Sequence, residues 1–202
     1  MASGKTTLAD WLGREFGYKT LTLAGPIKEI EKDLRNGVAY ADIISKHLAD
    51  YPLDKMQIAM IYKIFDEANK MPIEEPKPRK RLQFIGTEGF RTRIDKDFWI
   101  KLAHFKTQTG GPWVIDDIRF MNEYLFFMNE GWKVIGLSLP AEAQMERLKR
   151  LYGEFDPSIL THGSEVEIDQ ILKENIDVFN TDRPTDLKEK LIRKVLEMQE
   201  VV

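Results

Sequence analysis

Apolar residues recur at fourfold spacing over residues 6–16, at Leu8, Leu12 and Phe16, which predicts a helix stopped by Gly17. Residues 18–24 (YKTLTLA) alternate and carry β-branched side chains, the mark of a short strand. Gly25-Pro26 turns this strand into a second helix, with Ile27, Ile30 and Leu34 on its apolar face. Further helices are predicted over 41–49 and 53–69, the second patterned through Met56, Met60, Ile64 and Ala68. Pro72, Pro76 and Pro78 break the periodicity, and MPIEEPKPRKR reads as a linker ending in the basic run Arg79-Lys80-Arg81. A short apolar run follows over 82–85, then the polar, glycine-containing and arginine-bearing stretch TEGFRTR. Asp95 is placed to cap a helix running through Phe98, Trp99, Leu102 and Phe105.

The second half of the chain opens with Gly110-Gly111-Pro112, a loop that feeds the buried-strand signal Trp113-Val114-Ile115. That strand ends in Asp116-Asp117-Ile118-Arg119. A helix over 121–129, a strand over 133–139 and a basic amphipathic helix over 141–152 follow. Residues 154–164 are loop-rich, 165–172 read as a short helix, 176–180 as a last strand and 187–200 as a closing helix. Strands alternating with helices predict an α/β fold with a mostly parallel sheet.

Composition narrows the function classes. The 202 residues suit one domain with a substantial core, and 43% apolar with 31% charged residues is an ordinary globular balance. A net charge of −3 argues against nucleic-acid binding as a general property, so any basic site is local. The absence of cysteine excludes disulfides and thiolate chemistry, and the three scattered histidines do not form a zinc pattern. No apolar run is long enough to span a bilayer and no signal segment opens the chain, so a cytoplasmic protein is expected, without membrane partners.

The chemistry is concentrated at the start. Gly4, Lys5 and Thr6 supply the G-K-T half of the phosphate-binding pattern G-x-x-x-x-G-K-[ST], whose first glycine would fall two positions before Met1. Backbone N–H groups of such a loop and the helix behind it cradle phosphate, the lysine reaches the outer phosphates and the threonine holds Mg²⁺. A chance ASGKTT in a tail is the bland alternative; the helix directly behind it and the α/β pattern beyond weigh against that. Asp116 and Asp117 end an apolar strand where a carboxylate can hold the metal or its waters, with Asp117 preferred. A helix-cap or turn aspartate is the alternative for either. Arg119 follows at the carboxyl end of the strand, where ligands bind in open α/β sheets, and its planar fork suits a phosphate. Glu123 either orients that arginine, meets a sugar or base, or is a solvated helix residue.

Several stretches together resemble the phage deoxynucleoside monophosphate kinase family of P-loop kinases. They are ASGKTT, LAGPIKE, LQFIGTEGFRTRIDKDFWIK, VIDDIRFMNE followed by GWKVIGL, HGSE, and VFNTDRPTDL, in that order and spanning nearly the whole chain. The resemblance implies a three-layer P-loop kinase fold as a single domain over 1–202. A helical monophosphate-binding insertion is expected over about 36–105 and a lid over about 141–165. It implies ATP-dependent phosphorylation of deoxynucleoside 5′-monophosphates with Mg²⁺, in the host cytoplasm if the chain is phage-encoded, by a homodimer. Ser3, Gly4, Lys5, Thr6 and Thr7 would serve ATP, with Thr6 and Asp117 on the metal and Asn180 near the adenine. Lys28, Arg91 or Arg93, Arg119 and Glu123 would meet the monophosphate, Trp99 would wall its base while also serving the core, and Arg147 and Arg150 would be lid arginines. Lys5, Asp117, Arg119, Arg147 and Arg150 are the expected catalytic set.

The family's first strand precedes the P-loop and lies mid-sheet; this sequence lacks it, which leaves a gap beside 113–115. A product starting upstream of Met1 is favoured over a shortened protein with weakened ATP binding. Rival readings are a kinase of a non-nucleotide phosphorylated metabolite and a non-catalytic nucleotide-binding subunit.

Overall fold

The computed structural model describes residues 4–74, 78–153, 163–174 and 177–180, together with 189, 190, 192–194, 196 and 197. The chain divides into two compact units, Leu12–Asp117 and a second formed by Met1–Trp11 with Ile118–Val202. Both are mostly helical with small parallel sheets, a mixed α/β composition.

The unit Leu12–Asp117 contains the C-terminal end of α1 (Lys5–Phe16), then β1 (Lys19–Leu21), α2 (Gly25–Arg35), α3 (Tyr40–His47), α4 (Lys55–Lys70) and α5 (Arg79–Gln83). A π-helix (Phe84–Arg91), α6 (Phe98–Thr107) and β2 (Trp113–Ile115) complete it. Asp54 starts α4 with a reciprocal cap: its Oδ1 accepts the Gln57 N–H at 2.8 Å, and Gln57 Oε1 accepts the Asp54 N–H at 3.0 Å. The buried stripe of α4 is Ile61, Ile64, Phe65 and Ala68, the i, i+3, i+4, i+7 pattern of one helix face. The fourfold row read from the sequence meets this stripe at Ile64 and Ala68 but drifts off it at Met56, which is 83% exposed. A helix turns 100° per residue, so a strict i, i+4 row winds around its surface.

The core of this unit packs that stripe against Ile30 and Leu34 of α2, Ile43 of α3, Phe84, Ile85 and Phe90 of the π-helix, and Phe98, Trp99 and Leu102 of α6. The π-helix approaches its neighbours closely because it carries glycine at the contacts. A Cβ on Gly86 would lie 2.9 Å from Ile27 Cδ1, and one on Gly89 would lie 2.7 Å from Ile64 Cγ2 and 3.2 Å from the Phe84 carbonyl.

The basic run after the prolines is helical, with Arg79 and Lys80 exposed and only Arg81 covered. Arg79 opens α5, and Arg81 is buried with its Nε 3.3 Å from Glu31 Oε1, both side chains only 3% exposed. Asp33 of α2 is likewise covered and lies 2.9 Å from Lys46 Nζ and 2.8 Å from His47 Nε2. Hydrogen bonds from Lys46 and His47 hold its carboxyl below the usual aspartate value, against burial, which raises it. Asp95, expected as a helix cap, accepts the Asp97 N–H at 2.9 Å, the Tyr51 hydroxyl at 3.0 Å and Lys101 Nζ at 2.5 Å. Burial, then the bond to Asp95, pushes the Tyr51 hydroxyl up to about 12.

In the second unit, α7 (Met121–Asn129) is followed by β3 (Ile135–Ser138), α8 (Ala141–Tyr152), α9 (Gly163–Ile171) and β4 (Asp177–Asn180). Helix α7 ends in a complete Schellman motif. Gly131 stands at φ +81, its N–H donates to the Met128 carbonyl at 3.1 Å, and the Trp132 N–H donates to the Phe127 carbonyl at 2.9 Å. The rings of Phe127 and Trp132 meet edge-on at 5.1 Å, the apolar contact that accompanies this cap.

β1 pairs with β2 and β3 with β4, both in parallel, and among the described residues no strand joins the two pairs. Each strand is three or four residues long; β1 and β3 are shorter than their sequence patterns, and β2 coincides with its own. No helix among the described residues is long and apolar enough to cross a membrane.

Candidate functional site

In the unit containing residues 1–11, α1 begins at Lys5 immediately after Gly4, whose φ of +87 lies in the region that favours glycine. The Gly4 carbonyl accepts the Leu8 N–H at 3.0 Å, so the chain enters the helix without a break. Among the described residues nothing lies within 4 Å of a Cβ built on Gly4; glycine suits its backbone angle. Lys5, Thr6 and Thr7 fill the first turn, which holds no acidic residue. The end of the helix therefore keeps its positive potential, a local feature of a phosphate cradle. Ser3 lies outside the described residues.

Arg119 and Glu123 belong to the same unit, and the structure brings them together through the backbone. Glu123 is 2% exposed. Its Oε2 accepts the Arg119 N–H at 2.9 Å and the Phe120 N–H at 3.1 Å. This is the N3 half of a capping box; Phe120 has no side-chain acceptor to supply the other half. Glu123 is thus covered, not solvated, and its Oε2 fixes the chain from which Arg119 projects. The next amide, of Met121, donates to Glu167 Oε2 of α9 at 2.7 Å. Sequence reasoning missed Glu167, since nothing local marks a residue 46 positions away as a cap.

Arg147 and Arg150 lie one turn apart on α8. Arg150 Nη2 bonds Glu146 Oε1 at 2.9 Å with both side chains about three-quarters exposed, an i, i+4 pair that costs little to break. Asn180 ends β4, in register with Ser138. His162 and the stretch 181–188 fall outside the described residues.

The other unit holds the remaining candidates. Asp117 follows β2, and its two oxygens accept the Leu23 N–H at 2.7 Å and the Ala24 N–H at 3.0 Å. Lys28 is exposed on the first turn of α2, and Arg91 is half-buried at the end of the π-helix. Arg93, expected as its equal, is committed elsewhere: its Nη1 meets both Glu67 oxygens at 2.8 and 2.9 Å, and its guanidinium covers the Phe84 ring at 5.4 Å. The bond to Glu67 raises its pKa further. Trp99 is 2% exposed, and its indole N–H donates to the Gly86 carbonyl at 2.9 Å. An indole so covered has no face to offer a base; it secures the π-helix to α6.

Among the described residues no group of three or more His, Cys, Asp or Glu could hold a metal ion. Mg²⁺ at nucleotide phosphates takes one or two protein ligands and completes its shell with water and phosphate, so an all-protein cage is not what such a site needs. Thr6, exposed on the first turn of α1, fits that requirement. No family model matches the chain, and no curated protein matches it.

Proposed function

We propose that this chain transfers the outer phosphoryl group of ATP to a deoxynucleoside 5′-monophosphate. The observation that carries the reading is the left-handed Gly4 followed at once by a helix with Lys5 and Thr6 in a first turn free of acidic residues. The order of the resembling stretches, from ASGKTT to VFNTDRPTDL, supports the choice of acceptor.

The acceptor phosphate has its second pKa near 6, so at neutral pH it is largely an ionised nucleophile and needs no general base. Catalysis is then positioning and charge neutralisation in an in-line transfer. Lys5 and the N–H groups at the start of α1 bind the donor phosphates, and Thr6 would hold a Mg²⁺ that would supply charge neutralisation. Arg119 meets the charge that spreads over the transferring group, and Glu123 keeps its backbone in place. Arg147 and Arg150 act from the lid, whose closure excludes water and suppresses hydrolysis.

The test is a screen of the four deoxynucleoside monophosphates, and of unrelated phosphorylated metabolites, with ATP and Mg²⁺ and ADP as the readout. Turnover with at least one nucleotide and none with the metabolites is expected. Turnover confined to a metabolite, or nucleotide binding without turnover, overturns the reading.

A further inference from the structure

β1 and β2 run parallel with Leu21 opposite Ile115, and the ladder stops at that rung. Two residues later Leu23 and Ala24 turn into α2, and their N–H groups have no strand backbone to face. Asp117, two residues beyond Ile115, faces them instead, with one oxygen for each N–H. The geometry points to Asp117 as a positioning residue whose carboxylate adds one side-chain rung to the β1–β2 ladder and so sets where α2 begins.

The local sequence requires such help. Ala24 occupies the N-cap of α2 and has no side chain to cap with, and the first turn of α2 contains no acidic residue. Leu23 is 4% exposed, so its N–H would otherwise be a buried, unsatisfied donor. Asp117 supplies both the missing acceptors and a negative charge at the positive end of the helix, across 93 and 94 residues of sequence. One lone-pair site of each oxygen is thereby taken by an N–H. What depends on the rung is the course of Gly25, Pro26 and Lys28. The functional part of the inference rests on the kinase reading, in which Lys28 serves the acceptor.

Amide hydrogen exchange by NMR tests the structural part without reference to activity. In Asp117→Asn, one acceptor oxygen becomes a donor, and the Leu23 and Ala24 amides should exchange roughly tenfold to a hundredfold faster, with those of Lys19–Leu21 unchanged. Unchanged exchange at 23 and 24 overturns the inference. If the variant does not fold, wild-type protein decides the same question: the Asp117 carboxyl carbon and the two amides should titrate together, and separate titrations overturn the inference. In the phosphoryl-transfer assay, Asp117→Asn should raise the acceptor KM about tenfold, with the half-saturating Mg²⁺ concentration within about twofold of wild type. A shifted Mg²⁺ requirement with an unmoved acceptor KM returns Asp117 to the metal and overturns the inference. A wild-type chain that transfers no phosphate sinks the kinase reading alone, and the exchange result still decides the role of Asp117.

Discussion

The two units spend their charged residues differently. In Leu12–Asp117 the helices are stapled by covered pairs: Arg81 on Glu31 with 3% exposure on each side, and His47 on Asp33 with 10% and 9%. In the other unit the described pairs are open to water, Arg150 on Glu146 at 75% and 73% and Lys194 on Asp177 at 29% and 51%. Its covered carboxylate, Glu123, accepts two backbone N–H groups. Breaking a buried pair leaves a stranded charge, whereas breaking an exposed one leaves two hydrated ions. Glu31, Arg81, Asp33 and His47 are therefore structural in the first unit, which also carries exposed pairs such as Lys32 with Glu29. In the second, Arg150 sits on an exposed helix face where its loss costs the fold little.

The sharpest test of that contrast is Arg119→Ala. The Glu123 bonds go to the Arg119 and Phe120 amides, so they survive the substitution. Phosphoryl transfer should fall on the order of 10³-fold or more while Tm stays unchanged. Near-wild-type turnover removes Arg119 from the mechanism, and a large drop in Tm would move it to the structural class.

Next come the paired variants Glu31→Ala and Glu146→Ala. The first strands Arg81 in the core and should cost about 3–5 kcal/mol in urea unfolding. The second should leave the midpoint unmoved within error. Equal effects would erase the difference between the units.

Gly89→Ala probes the packing that makes the first unit rigid. Its Cβ would press on Ile64 and on the Phe84 carbonyl, which cannot yield as a side-chain end can, so a loss of about 1–3 kcal/mol is expected. A neutral result means the π-helix relaxes freely.

The smallest effect is in acid. Asp33 has a lowered folded pKa, so its pairing with Lys46 and His47 stabilises the protein above the ordinary aspartate value near 3.9. That contribution is lost as pH falls from there through the lowered folded value. Asp33→Asn should flatten this part of the stability profile, and an unchanged acid limb between about pH 4 and 2 would show that the pair carries no linkage.

Helices driven by an apolar stripe were readable in the chain itself. The predicted ranges 121–129 and 141–152 coincide with α7 and α8, because periodicity and the stops at Gly131 and Gly153 are local features. β1 and β3 came out shorter than their patterns, since a strand exists only where a partner lies beside it, while β2 coincides with 113–115. The π-helix was not legible either: its glycines matter through contacts with Ile27 and Ile64, which belong to other helices.

For the candidate site, the sequence by itself determined the residue types and the start of α1: a glycine able to stand at positive φ, then lysine and threonine in a helical first turn. Only the tertiary structure decided what the distant groups do. It buried Trp99 and Arg81, tied Arg93 to Glu67, and gave Glu123 and Asp117 to backbone amides. The physical reason is one of range. Backbone angle and helix periodicity act over a few residues, whereas burial, ion pairing and the satisfaction of a stray N–H depend on which segments meet, here up to 94 positions apart.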